Sequence, residues 1–74
     1  MAKLPVLKPR QVVALLVARG SVCVRQRGSH MQFRHPDGRA TAVPDHSGRD
    51  IAPSLLRQIA RDIGVAPEEL AAGA

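Results

Sequence analysis

Apolar and polar positions change period twice along the chain, and the changes mark its elements. From Arg10 to Arg19 the apolar residues Val12, Val13, Leu16 and Val17, with Leu15 beside them, recur at the spacing of one helix face. Pro9 suits the first helical position because its φ is already fixed, and Gly20 suits a left-handed stop. From Ser21 the period falls to two. Val22-Cys23-Val24-Arg25-Gln26-Arg27 passes from apolar to basic in alternation, as a half-buried strand does. Gly28-Ser29 turns the chain, His30-Met31-Gln32-Phe33-Arg34 alternates again, and Pro36-Asp37-Gly38 makes a second turn, since proline presets φ and glycine accepts a positive one. A third strand runs from Arg39 to Val43 and ends at Pro44. Beyond the polar loop Asp45-His46-Ser47-Gly48-Arg49-Asp50, Pro53 opens a second helix, whose apolar face is marked by Ile51, Leu55, Leu56, Ile59 and Ile63; Gly64 closes it. Pro67-Glu68-Glu69-Leu70 reads as a short final turn of helix with its acids at the positive end.

The order helix, three antiparallel strands, helix predicts an α+β sandwich, a single domain over residues 1–74 with both helices on one face of the sheet. The other face is then open. If Val22, Val24, Met31 and Phe33 point at the helices, then Cys23, Arg25, Arg27, His30, Gln32 and Arg34 point away from them. The third strand is compatible with either phase, and a slip of one residue in the second would bury His30 instead.

Charge narrows the class of partner. Lys and Arg number 11 against 6 acidic residues, a net charge of +5 that favours a polyanionic partner such as nucleic acid over a merely basic surface, and arginine, whose planar fork matches phosphate oxygens, predominates among the bases. A chain of 74 residues buries only about 60% of its unfolded surface, so a large enclosed substrate cavity is not expected. The single cysteine, Cys23, excludes an intrachain disulfide and cannot by itself hold zinc, which fits a reducing cytoplasm. The N-terminal segment lacks an apolar stretch of signal-peptide length, and the longest apolar run, Val12 to Ala18, is far short of the roughly 20 residues of a membrane span. A soluble cytoplasmic protein is expected. Phe33 is the only aromatic residue, so the open face has no platform on which bases could stack, and recognition through the backbone and shape of nucleic acid remains.

Metal-free RNA cleavage needs a group to take the 2′-hydroxyl proton, a group to protonate the leaving 5′-oxygen, and cations for the charge that builds at phosphorus. His30 suits either proton-transfer role, because an ordinary imidazole has both forms available near neutrality. Arg25, Arg27 and Arg34 suit the third, and the amides and hydroxyl of Gly28-Ser29 could meet a phosphate, although a turn alone also accounts for Gly28. A lone histidine on a strand, taken by itself, is more often structural or merely exposed than catalytic. His35, before Pro36, reads as a turn residue; His46 could approach the sheet if the second helix packs back, or could help to enter that helix. Cys23 and the three histidines reproduce no zinc-ligand spacing, and no HExxH or CxxC occurs. Asp37, Asp45 and Asp50 stand in turns, where aspartate is ordinary. Ser47 beside His46 is adjacency without geometry, and no glycine-rich phosphate loop precedes a helix. Neither a metal nor another cofactor is expected. The letters Gly28-Ser29-His30-Met31 coincide with a common tag-removal remnant, but such remnants are terminal, and these have patterned sequence on both sides.

Further segments carry a resemblance. Val24-Arg25-Gln26-Arg27-Gly28-Ser29-His30, then Phe33-Arg34-His35-Pro36-Asp37-Gly38, Val43-Pro44, His46-Ser47-Gly48 and Leu55-Leu56-Arg57-Gln58-Ile59 resemble the HicA, or YcfA-like, toxin family in order and spacing, over nearly the whole chain from Lys3-Leu4-Pro5 to Pro67-Glu68-Glu69-Leu70. The resemblance implies a fold like the double-stranded-RNA-binding domain, and a type II toxin that cleaves messenger RNA without a metal and is neutralised by a HicB-type antitoxin. It puts the family's catalytic histidine on His30; residue chemistry and strand parity add Arg25, Arg27, Gly28, Ser29, Gln32 and Arg34 as the RNA-binding surface and His46 as a candidate auxiliary. Two positions depart from the family pattern. Met31 stands where many relatives carry a second histidine or an aliphatic residue, and Ser21 where an aromatic often follows the helix-ending glycine, which removes core packing. The rival readings are a non-catalytic basic module that binds RNA or DNA, and an interaction module whose basic face meets an acidic protein.

Overall fold

The computed structural model describes residues 4–74; Lys3, where the resemblance begins, lies outside them. The elements are α1 (Pro9–Ala18), β1 (Val22–Arg27), β2 (His30–Arg34), β3 (Ala40–Pro44), α2 (Pro53–Ile63) and α3 (Pro67–Ala72). The strands form one antiparallel sheet in the order β1-β2-β3, and the expected α+β arrangement is present. β3 is displaced by one residue from its predicted bounds, and the last helical segment extends to Ala72.

Local chemistry accounts for the helix ends. Each helix starts with proline at its first turn, and in α1 the Gln11 Oε1 accepts the Lys8 backbone N–H at 2.7 Å. α1 ends in a Schellman motif: Gly20 has φ 94°, its N–H donates to the Val17 carbonyl, and the Ser21 N–H donates to that of Leu16. α2 ends the same way at Gly64, with φ 77° and the Val65 N–H on the Ala60 carbonyl. Arg39 Nη1 covers the exposed end of α2 by donating to the Ile63 carbonyl at 2.6 Å.

Phe33, Val43, Val12, Leu16, Leu56, Ile59 and Leu70 form the centre of a single core between the helices and the inner face of the sheet. Thr41, buried on that face, donates its hydroxyl to Asp62 of α2 at 2.9 Å, so the polar group in the layer is satisfied. Thr41 and Phe33 are partners across β2 and β3, as are Met31 and Val43, which settles the third strand's phase: Ala40 and Ala42 face outward.

Three expectations are corrected. The buried face of α1 is Pro9, Val12, Leu15 and Leu16, whereas Val17 is 56% exposed, because the helix rolls to bring Leu15 rather than Val17 over the sheet. Ile51 precedes α2; it reaches the core by pairing with Leu7 in an isolated bridge. In β1, Val22 pairs with Arg34 on the outer face and Cys23 with Phe33 on the inner one, the reverse of the predicted parity. A bulge between Cys23 and Arg25 then inserts Val24 as an extra residue and restores the expected phase from Arg25 onward. β1 lies at the edge and is exposed throughout, so neither Val22 nor Val24 joins the core, and Cys23 does not share the arginine face.

Candidate active site on the open sheet face

After the bulge, cross-strand pairing gathers the predicted residues. Arg25 pairs with Gln32, Arg27 with His30, and His30 also with Pro44; Arg34 lies on the same outer face opposite Ala40. His30 is the first residue of β2, at the end of a hairpin whose two-residue turn places Gly28 at φ 55°. A Cβ at Gly28 would meet nothing, so only the backbone angle requires glycine there. Arg25, Arg27 and Arg34 are exposed, and among the described residues their side chains make no ion pair and no hydrogen bond. No carboxylate stands on any of the three strands. Ala40 and Ala42 keep the floor low beside the arginines, and with Val24, Gln32 and Arg34 they line a shallow depression of about 280 Å³. A flexible anionic backbone could lie there against cations that have no competing partner.

The loop after β3 brings His46 to His30. The ring centroids are 5.4 Å apart in an edge-to-face arrangement with an interplanar angle of 82°. His46 Nδ1 shares a hydrogen bond of 3.0 Å with the Ser29 hydroxyl. Several contacts hold the loop in this position. The Asp45 N–H donates to the Ser29 carbonyl at 2.6 Å, and Asp45 Oδ1 accepts the Gly48 N–H at 3.2 Å. Ser47 and Gly48 both take the left-handed conformation, at φ 55° and 71°, which costs about 1–3 kcal/mol at a residue such as Ser47 and is sustained by the surrounding bonds. Lys8 anchors the far side, with Nζ 2.5 Å from Asp50 Oδ1 and 3.4 Å from the Gly48 carbonyl.

His35 is apart from this cluster. Its Nε2–H donates to the Arg19 carbonyl at 3.0 Å, and its Nδ1 lies 3.1 Å from the Asp37 N–H, so it ties the β2–β3 turn to the end of α1. That is the turn role expected of it. The Arg39 N–H bonded to the Asp37 carboxylate is the main cause that holds this exposed acid below its ordinary value of 3.8, with smaller contributions from the neighbouring His35 ring and Arg39 guanidinium.

Sequence reasoning did not foresee the Ser29–His46 bond or the bulge. The first has a faint signal in the Asp45 to Gly48 spacing of an Asx-type turn; the second has none, because a bulge appears only when a partner strand counts the residues. Among the described residues no three His, Cys, Asp or Glu side chains converge, so the cluster itself offers proton transfer and hydrogen bonding.

Residues 9–65, from the start of α1 to just beyond the end of α2, match the family model described as the HicA toxin of bacterial toxin-antitoxin. The chain belongs to the HicA toxin family. The match includes the hairpin of His30, the outer arginines and the His46 loop, and leaves α3 outside. No curated protein matches the chain. Membership makes this HicA-family chain a toxin of a toxin-antitoxin system, and it implies an antitoxin partner. Among the described residues no helix is long and apolar enough to cross a membrane.

Proposed function

We propose that this HicA-family toxin is an endoribonuclease that cuts messenger RNA without a metal ion, and that a HicB-type antitoxin neutralises it in the cytoplasm. The observation that carries the reading is an imidazole, His30, on an open face with three arginines that are unpaired among the described residues, on strands that carry no carboxylate. Arg25, Arg27 and Arg34 dock the backbone, with Gln32, Gly28 and Ser29 offering further hydrogen bonds to phosphate or ribose. The arginine nearest the scissile phosphate stabilises the charge developing on it. His30 moves a proton to or from one of the reacting oxygens. An acidic surface on the antitoxin would complement the same arginines and cover His30.

The test is incubation of the purified chain and its His30→Ala variant with a long messenger RNA in EDTA. The native chain should cleave, and the variant, folded by circular dichroism, should lose at least roughly a hundredfold in rate while keeping its affinity. Equal RNA binding by both without cleavage by either would leave a basic binding module in place of the enzyme.

A further inference from the structure

In an in-line displacement at phosphorus the entering and leaving oxygens lie on opposite sides, so one imidazole cannot serve both at the same moment. The fold brings a second imidazole beside the first, although the two are remote in sequence. We infer that His46 is the second proton-transfer residue and that the Ser29 hydroxyl positions it; this deepens the RNA-cleavage reading and rests on it. One histidine, neutral, takes the proton from the 2′-hydroxyl as its oxygen bonds to phosphorus. The other, protonated, gives its proton to the 5′-oxygen as the bond from phosphorus to that oxygen breaks. The products are a 2′,3′-cyclic phosphate and a free 5′-hydroxyl, with one proton gained by the first histidine and one lost by the second.

The environment of His46 fits a group that changes charge. A serine hydroxyl can donate to Nδ1 of the neutral ring and accept from Nδ1–H of the charged one, so the 3.0 Å bond survives both states. Its Nε2 has no protein partner among the described residues. Around the pair stand Arg27 and Pro44, paired with His30, and Asp45, whose Oδ1 is engaged by the Gly48 N–H. Neither ring forms an ion pair with a carboxylate among the described residues. The edge-to-face packing keeps the rings from stacking flat on one another, and the braced loop limits how far His46 can swing away.

The experiment compares the native chain with His30→Ala, His46→Ala, His46→Gln, Ser29→Ala and Ser29→Thr, each checked for folding. The substrates are a short RNA carrying the mapped cut site and the same RNA with sulfur replacing the bridging 5′-oxygen, a leaving group that needs no acid. His46→Ala should slow the normal RNA by roughly a hundredfold or more and remove one limb of the pH–rate profile. Its affinity for an analogue with a 2′-deoxy nucleotide at the cut should not change. The sulfur substrate should restore the rate of one histidine variant and not the other, which identifies the acid. Ser29→Ala should slow cleavage roughly tenfold and Ser29→Thr restore it. Native-like rates and an unchanged pH profile in folded His46→Ala and His46→Gln, with His30→Ala inactive, would overturn the role of His46 alone. Absence of cleavage by the native chain would instead overturn the ribonuclease reading on which it rests.

Discussion

At the scale of single residues, the three histidines are distinguished by what their ring nitrogens meet. His35 has both engaged, Nε2 by the Arg19 carbonyl and Nδ1 by Asp37, and holds a turn, whereas His46 has one on a serine and His30 faces solvent on the open sheet. Asp37 belongs to the structural side of this division and gives a prediction about acid stability. Its carboxyl titrates below the ordinary value of 3.8, so the folded state binds fewer protons there than the unfolded state. The resulting stability is present above that value and is lost as pH falls through the folded-state pKa. Melting temperatures from about pH 5 to about pH 2 should therefore fall more steeply for the native chain than for Asp37→Asn. The difference should be small, since the group is exposed and screened, and parallel curves would show that the contact contributes nothing.

At the scale of elements, the two Schellman ends and the inner sheet face carry the stability. Phe33 is 1% exposed at the centre of the core, and Phe33→Ala should cost about 3–5 kcal/mol in urea denaturation, enough to unfold much of a domain this small. Gly64 carries two constraints at once. Its φ of 77° disfavours any side chain, and a Cβ would collide with the Arg39 guanidinium that covers the end of α2. Gly64→Ala should cost about 1–2 kcal/mol or more, and part of that loss should disappear in an Arg39→Ala background, where the collision is gone. Strictly additive losses would assign the whole effect to the backbone.

At the scale of the molecule, charge is divided between structure and surface. Lys8, Arg19 and Arg39 have acidic partners, while the cations of the outer sheet face have none among the described residues. If Arg25, Arg27 and Arg34 each neutralise a phosphate, the affinity of inactive His30→Ala for single-stranded RNA should fall with salt. On a log–log plot the slope should be about −2, and replacing one arginine by glutamine should reduce its magnitude by about 0.7. Fluorescence anisotropy across a salt series measures this. A slope unchanged by all three replacements would place the RNA on another surface.

Read alone, the sequence determined the element order, both glycine helix stops, the two turns, and the common face of Arg25, Arg27, His30, Gln32 and Arg34. Those features follow from local demands: a fixed φ at proline, a positive φ at glycine, and period-two alternation along a strand. Tertiary structure alone decided which side of α1 is buried, the phase of β3, the extra residue at Val24, and the meeting of His46 with Ser29 and His30. None of these is encoded in a local period. Helix roll and strand phase are chosen by which side chains fill the shared core. A bulge exists only relative to a neighbouring strand. The histidine pair forms because Asp45, Ser47 and Gly48 fold the loop back while Leu7 and Lys8, from the far end of the chain, hold its other side.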